Sequence, residues 1–103
     1  MMQIQYSSQA KKNKEDLLLK YPGFSTYFEK VEKRISEDPY YRLKEEVVLP
    51  NSSVVTCYKR QVRADLFSGL IPDSYMYISL SYTVIEEKSL IIIIGVYTHN
   101  YTP

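Results

Sequence analysis

The sequence changes its hydrophobic rhythm between Asp38-Pro39 and Val47. From Ala10 up to that break apolar residues recur every three or four positions. After it they alternate with polar ones. The first spacing lines one face of a helix and the second lines one face of a strand. Two separate blocks, rather than an interleaved pattern, predict helices gathered on one side of a sheet whose strands are close in sequence.

Within the first block, Met2–Tyr6 alternates and predicts a short strand. Ser7 or Ser8 then offers a side-chain oxygen to the free amides of a helix start. Ala10, Lys14, Leu17, Leu18 and Tyr21 form one stripe, with Lys14 able to lay its stem along the stripe's edge. Pro22-Gly23 ends this helix. Phe24, Phe28, Val31 and Ile35 mark a second helix, for which Thr26 and Glu29 fit a capping box. Asp38-Pro39 stops it, because proline disfavours helical geometry in the preceding residue. The charged set Glu29, Lys30, Glu32, Lys33 and Arg34 reads as the solvated side of the hairpin.

In the second block, Pro50-Asn51 signals a turn. Strands are expected over Val54–Phe67, Tyr75–Ile85 and Leu90–Thr98, with turns at Gly69–Ser74 and Glu86–Lys88. Such short links imply an antiparallel meander. Leu90–Val96 is apolar on both faces, which predicts a central strand. Residues 1–103 are therefore expected to form a single α+β domain, an N-terminal strand and helix hairpin packed on an antiparallel β-sheet, with the first strand at the sheet edge. The expected core sets Leu17, Leu18, Phe28, Val31 and Ile35 against Val62, Leu66, Ile78, Leu80, Tyr82 and Val84.

A length of 103 residues suffices to bury such a core without metals or multiple disulfides. The single cysteine, Cys57, cannot form an intrachain disulfide, which favours a reducing compartment, the cytoplasm. The N-terminus carries no apolar signal core, and Leu90–Ile94 is too short to span a bilayer, so no membrane partner is expected. With 13 basic and 12 acidic side chains, any anionic partner must be held by a local patch. Tyrosine is over-used, with 11 copies and no tryptophan. Its apolar ring and polar tip serve core and surface alike.

No phosphate-binding glycine loop, metal-ligand cluster or Ser-His-Asp set is present, and His99 is the only histidine. No cofactor is expected. Cys57 has only Lys59 and Arg60 as activating neighbours and reads as a small strand residue. The dense basic cluster is Lys59-Arg60-Gln61-Val62-Arg63. On a strand, Lys59, Gln61, Arg63 and Asp65 share one face, while Arg60, Val62, Ala64 and Leu66 share the other. The next strand puts Tyr75, Tyr77, Ser79, Ser81 and Thr83 on its polar side. Cations, hydroxyls and rings on one face are the groups a single-stranded RNA site uses. The same pattern also describes a plain solvated face whose charges discourage edge pairing. The tail Tyr97-Thr98-His99-Asn100-Tyr101 follows directly on a central strand. Histidine there can exchange protons near neutral pH and tyrosine can stack or donate.

The order strand, helix hairpin, three-strand meander resembles the RelE/ParE superfamily of bacterial and archaeal toxins. Ile4-Gln5-Tyr6-Ser7 followed by Ala10 is similar to the family's first strand and helix start. Glu37-Asp38-Pro39-Tyr40 is similar to the stretch that often ends its second helix. Ser81-Tyr82-Thr83-Val84, then Ile91–Val96 and His99, resemble its tyrosine-bearing strand, apolar strand and terminal histidine. The resemblance implies the toxin of a type II toxin-antitoxin pair, held by an antitoxin protein, that cuts mRNA on the ribosome or, in the ParE branch, inhibits DNA gyrase. It further implies phosphate contacts from Lys59, Arg60 and Arg63 and a tail role for His99 and Tyr101; Tyr77 joins the RNA-binding set through its place on the polar side of its strand. Asp65 would act as a base if buried beside Arg63. Two features depart from the family: Thr83 stands where an arginine is usual, and the net charge is only +1.

Three readings follow. The first is a metal-independent endoribonuclease, with Arg63, His99 and Asp65 catalytic. The second is a non-enzymatic gyrase inhibitor using the same face. The third is a structural or regulatory relative that keeps only the layout. In the first two, the exposed tyrosine-rich surface would be covered by the antitoxin or by a second copy of the chain.

Overall fold

A computed structural model describes residues 2–40, 44–48, 51–63 and 75–100. Strand β1 (Gln3–Tyr6) leads into helix α1 (Ser8–Lys20), and helix α2 (Phe24–Glu37) follows. Strands β2 (Lys44–Val48), β3 (Val54–Arg63), β4 (Tyr75–Ile85) and β5 (Leu90–Asn100) complete the described elements. They form a five-stranded sheet in the order β1-β5-β4-β3-β2. β2 to β5 pair antiparallel, whereas β1 joins β5 in parallel, so the sheet is mixed at that edge. The apolar strand Leu90–Val96 is internal, between β1 and β4, as its two-sided hydrophobicity predicts.

Both helices begin where the chain chemistry allows. Ser7 caps α1, its hydroxyl oxygen accepting from the Ala10 amide at 3.3 Å. α2 starts at Phe24 behind Gly23, without a side-chain cap. The expected Thr26–Glu29 box therefore does not form. Thr26 lies inside the first turn, because the Pro22-Gly23 break already turns the chain and Phe24 is needed in the core. Strand β2 was not foreseen, since Lys44-Glu45-Glu46 hides the alternation that its pairing with β3 uses. Neither helix is long and apolar enough to cross a membrane.

The core lies between the helices and one sheet face. Ala10, Leu17, Phe24, Tyr27, Phe28, Val31 and Ile35 meet Ile78, Leu80, Tyr82, Ile91, Ile93 and Val96. Tyr27 is fully buried, and its hydroxyl donates to the Ile78 carbonyl at 3.3 Å. Burial pushes its phenol pKa up, and nearby Arg34 offsets part of this. The Lys14 ammonium lies 4.5 Å above the Tyr6 ring and 3.7 Å from Glu32, so its stem covers the core edge as expected. The Tyr6 hydroxyl is buried near Glu32 but does not reach hydrogen-bond geometry. Burial, then the Glu32 charge, push its pKa up.

A β-bulge sets the phase of β5. Tyr82 pairs with Ile93 and Ser81 with Gly95, leaving Ile94 as an extra residue. Ile91 and Ile93 therefore share the helix side with Val96, and Gly95 and Tyr97 fall on the far side with Ser81 and Ser79. β1 ends at the same point. There Ser7 donates its backbone N–H to the Ile93 carbonyl at 2.8 Å as the chain lifts away into α1.

Candidate nucleic-acid interface

The sheet face away from the helices has a floor of small residues and a rim of long ones. Cys57, Ser79, Ser81 and Gly95 are buried. Lys59 is half-buried, while Gln61, Arg63 and Tyr97 are exposed. The strands order them in rows. Lys59 pairs with Ser81 and Ser81 with Gly95; Gln61 pairs with Ser79 and Ser79 with Tyr97; Arg63 pairs with Tyr77 and Tyr77 with His99. Adjacent strands are about 4.8 Å apart, so each row spans roughly 10 Å. Three residues singled out in the sequence, Arg63, Tyr77 and His99, thus occupy one row on three strands. Their common row follows from backbone pairing and does not depend on side-chain reach.

Ser79 and Ser81, expected on an open polar face, are buried instead. Gly95 explains part of this. A Cβ added there would come within 2.6 Å of the Tyr97 Oη and 2.7 Å of two ring carbons. The Tyr97 ring therefore lies over Gly95, beside Ser81, in a space that only glycine leaves. Sequence reasoning named Tyr97 only as part of the C-terminal tail and did not place it on this face. Strict alternation from Ile91 and Ile93 puts it on the core side, and only the bulge moves it out.

Arg60 separates from the other candidates. It pairs with Leu80 of the core, so it stands on the helix side of the sheet. Its guanidinium approaches the Asp38 carboxylate to 3.9 Å at the end of α2. Around it, Tyr82 donates its hydroxyl to the Pro39 carbonyl at 2.8 Å, and the Tyr58 ring stacks on Tyr82 at 5.8 Å. Tyr40 packs edge-on against Tyr58 and donates to Glu86, which pushes its phenol pKa up to about 12. Asp38-Pro39-Tyr40, read in the sequence as a helix stop, is thus also the clasp that ties the end of α2 to β3 and β4. Asp65 and Tyr101 lie outside the described residues.

Thr83 donates its hydroxyl to the Thr56 carbonyl at 3.2 Å and so supports the β3–β4 pairing. On the far face, the described cations are Lys59 and Arg63.

No family model and no curated protein matches the sequence. Among solved structures, the chain is similar to the isolated RelE toxin of E. coli. Sequence identity is 21%, the TM-score is 0.56, and the match covers 99% of this chain and 88% of the toxin. The layout of two helices on a sheet with a parallel first strand, inferred in part from sequence, is thus found over nearly the full length: the chain has a RelE-like fold.

Proposed function

We propose that the protein is the toxin of a type II toxin-antitoxin pair and acts as a metal-independent endoribonuclease on mRNA. The backbone row that pairs Arg63 with Tyr77 and Tyr77 with His99, in a RelE-like fold, carries this reading. RNA strand cleavage requires the 2′-hydroxyl to lose a proton, the crowded phosphate to gain stabilisation, and the leaving 5′-oxygen to be protonated. Arg63 supplies a guanidinium whose fork of donors matches phosphate oxygens. His99 supplies a group that can hold or give a proton near neutrality. Lys59 neutralises a neighbouring phosphate. Asp65 and Tyr101 are assigned to the same site, as proton acceptor and stacking ring. Arg60 is assigned to positioning rather than RNA contact, given its place beside Asp38.

With a net charge of only +1 over the whole chain, the substrate is taken as RNA presented by the ribosome. The antitoxin is expected to cover the same face. Induced expression in the absence of the antitoxin tests the reading. Growth arrest with new mRNA ends supports it. Arrest with altered DNA supercoiling and no new ends transfers the assignment to gyrase. Harmless expression removes the toxin assignment and leaves the fold.

A further inference from the structure

The ring of Tyr97 is held against the sheet on one side and open on the other. It rests on Gly95 at contact distance, yet the residue keeps 52% of its surface exposed. An exposed aromatic ring on a strand is ordinarily free to swing. Here the gap at Gly95 gives it a seat, and the bulge at Ile94 turns the strand so that the seat faces away from the helices. Lys59 belongs to the same row as Gly95, two strands away and about 10 Å across the sheet. Arg63 lies two rows further along, about 14 Å by strand rise.

We infer that Tyr97 is a stacking platform for one unpaired nucleobase, with Lys59 and Arg63 taking the flanking phosphates. The inference rests on the RNA reading of this face, and it gives a specific role to Tyr97, which the sequence placed only in the C-terminal tail. Stacking on an aromatic ring is sequence-tolerant, because every base has a π-face, and its strength grows with the area of the base. The gap at Gly95 gives the ring a resting position against the sheet before RNA arrives, and a preformed contact lowers the entropic cost of binding. The hydroxyl is not needed for this role and the ring is.

The probes are short 2′-O-methyl oligoadenylate and oligouridylate, which cannot be cleaved through the 2′-oxygen. Binding is measured by calorimetry at low ionic strength, and RNA ends are mapped after induced expression. Wild type is expected to prefer the adenine probe. Tyr97→Ala should bind it about five- to a hundredfold more weakly. It should also lose the preference for adenine over uracil, with an unchanged melting temperature. Tyr97→Phe and Tyr97→Trp should keep both properties. A merely structural cover for Gly95 would not set a base preference. If Tyr97→Ala binds and cuts like wild type, or if the Phe and Trp variants fail to restore it, the platform is overturned while the nuclease reading stands. If Tyr97→Ala keeps RNA binding but loses the antitoxin, the ring serves a protein partner and the inference is wrong. Should wild type neither bind the probes nor produce new RNA ends, the RNA reading itself falls and the platform with it.

Discussion

Arg60 and Arg63 sit three residues apart on β3 and on opposite faces of the sheet, Arg60 paired with Leu80 and Arg63 with Tyr77. Truncating each should therefore damage a different property. Arg63→Ala should lower cleavage by two to three decades, the scale of one transition-state contact of about 3–4 kcal/mol. Its effect on stability should be the smaller of the two, since Arg63 is exposed. Arg60→Ala should do the reverse. The Arg60 side chain is only 14% exposed, so losing its packed stem should cost roughly 1–2 kcal/mol. Its partner Asp38 is 62% exposed, so the ion pair contributes only about 0.5 kcal/mol of this. Thermal melts and mapped RNA ends, measured on both variants, separate the two. Equal loss of cleavage in both would contradict the division of faces.

Gly95→Ala tests the seat from below. The added methyl meets the Tyr97 ring, and because Tyr97 is half-exposed the ring can swing away. The rotamer cost of roughly 0.5–1.5 kcal/mol is offset by replacing a strand glycine, so stability should barely change. RNA binding should nonetheless fall toward that of Tyr97→Ala. A large drop in melting temperature would mean that the ring is locked in place, and unchanged binding would mean that its position does not matter.

The Tyr40–Glu86 contact predicts an alkaline weakness. Acceptance by the carboxylate favours the protonated phenol and raises its pKa from 10.0 to about 12. Below pH 10 the folded and unfolded chains both keep that proton, and the contact contributes fully. As pH rises from 10 towards 12 the unfolded chain releases its proton first, so the contribution shrinks, and it is gone above the folded value. Tyr40→Phe should remove this slope. Denaturant melts across that range should show wild type losing stability faster than Tyr40→Phe; parallel curves would refute the assignment.

Tyr27→Phe probes the core without touching the far face. The Tyr27 hydroxyl donates to Ile78 from a fully buried position, and its loss should cost about 0.5–1.5 kcal/mol. Cleavage per folded molecule should not change. A melt shifted by a few degrees with unaltered RNA ends is the expected result, and any effect on cleavage would tie this residue to the site.

The sequence displayed those parts of the fold whose rhythm is regular. Phe24, Phe28, Val31 and Ile35 give α2 its face, and the alternation of Ile78, Leu80 and Tyr82 gives β4 its own. Tyr27 escaped notice because its polar tip disguises a position four residues before Val31. β2 escaped because three charged residues open it. The candidate row was half visible. Lys59, Gln61 and Arg63 follow strict alternation and could be placed together, but Tyr97 could not. A bulge inserts one residue without leaving a mark in the composition, since Ile94 looks like its neighbours. The burial of Ser79 and Ser81 was equally hidden, because alternation alone assigns small polar residues to an open face.

The parallel pairing of β1 with β5 has a consequence for solubility. Leu90–Ile94 is five consecutive aliphatic residues, four of them β-branched, without charge or proline. Such a segment, left with an open edge, templates cross-β stacking. One of its edges is occupied by β4. The other is occupied only by the four residues of β1, from Gln3 opposite Leu90 to Tyr6 opposite Ile93. β1 turns Gln3 and Gln5 to solvent and is itself too short to recruit another chain readily. Four residues near the start of the sequence therefore guard its most aggregation-prone stretch, and loosening them would lead first to fibres or amorphous aggregate rather than to a soluble unfolded chain.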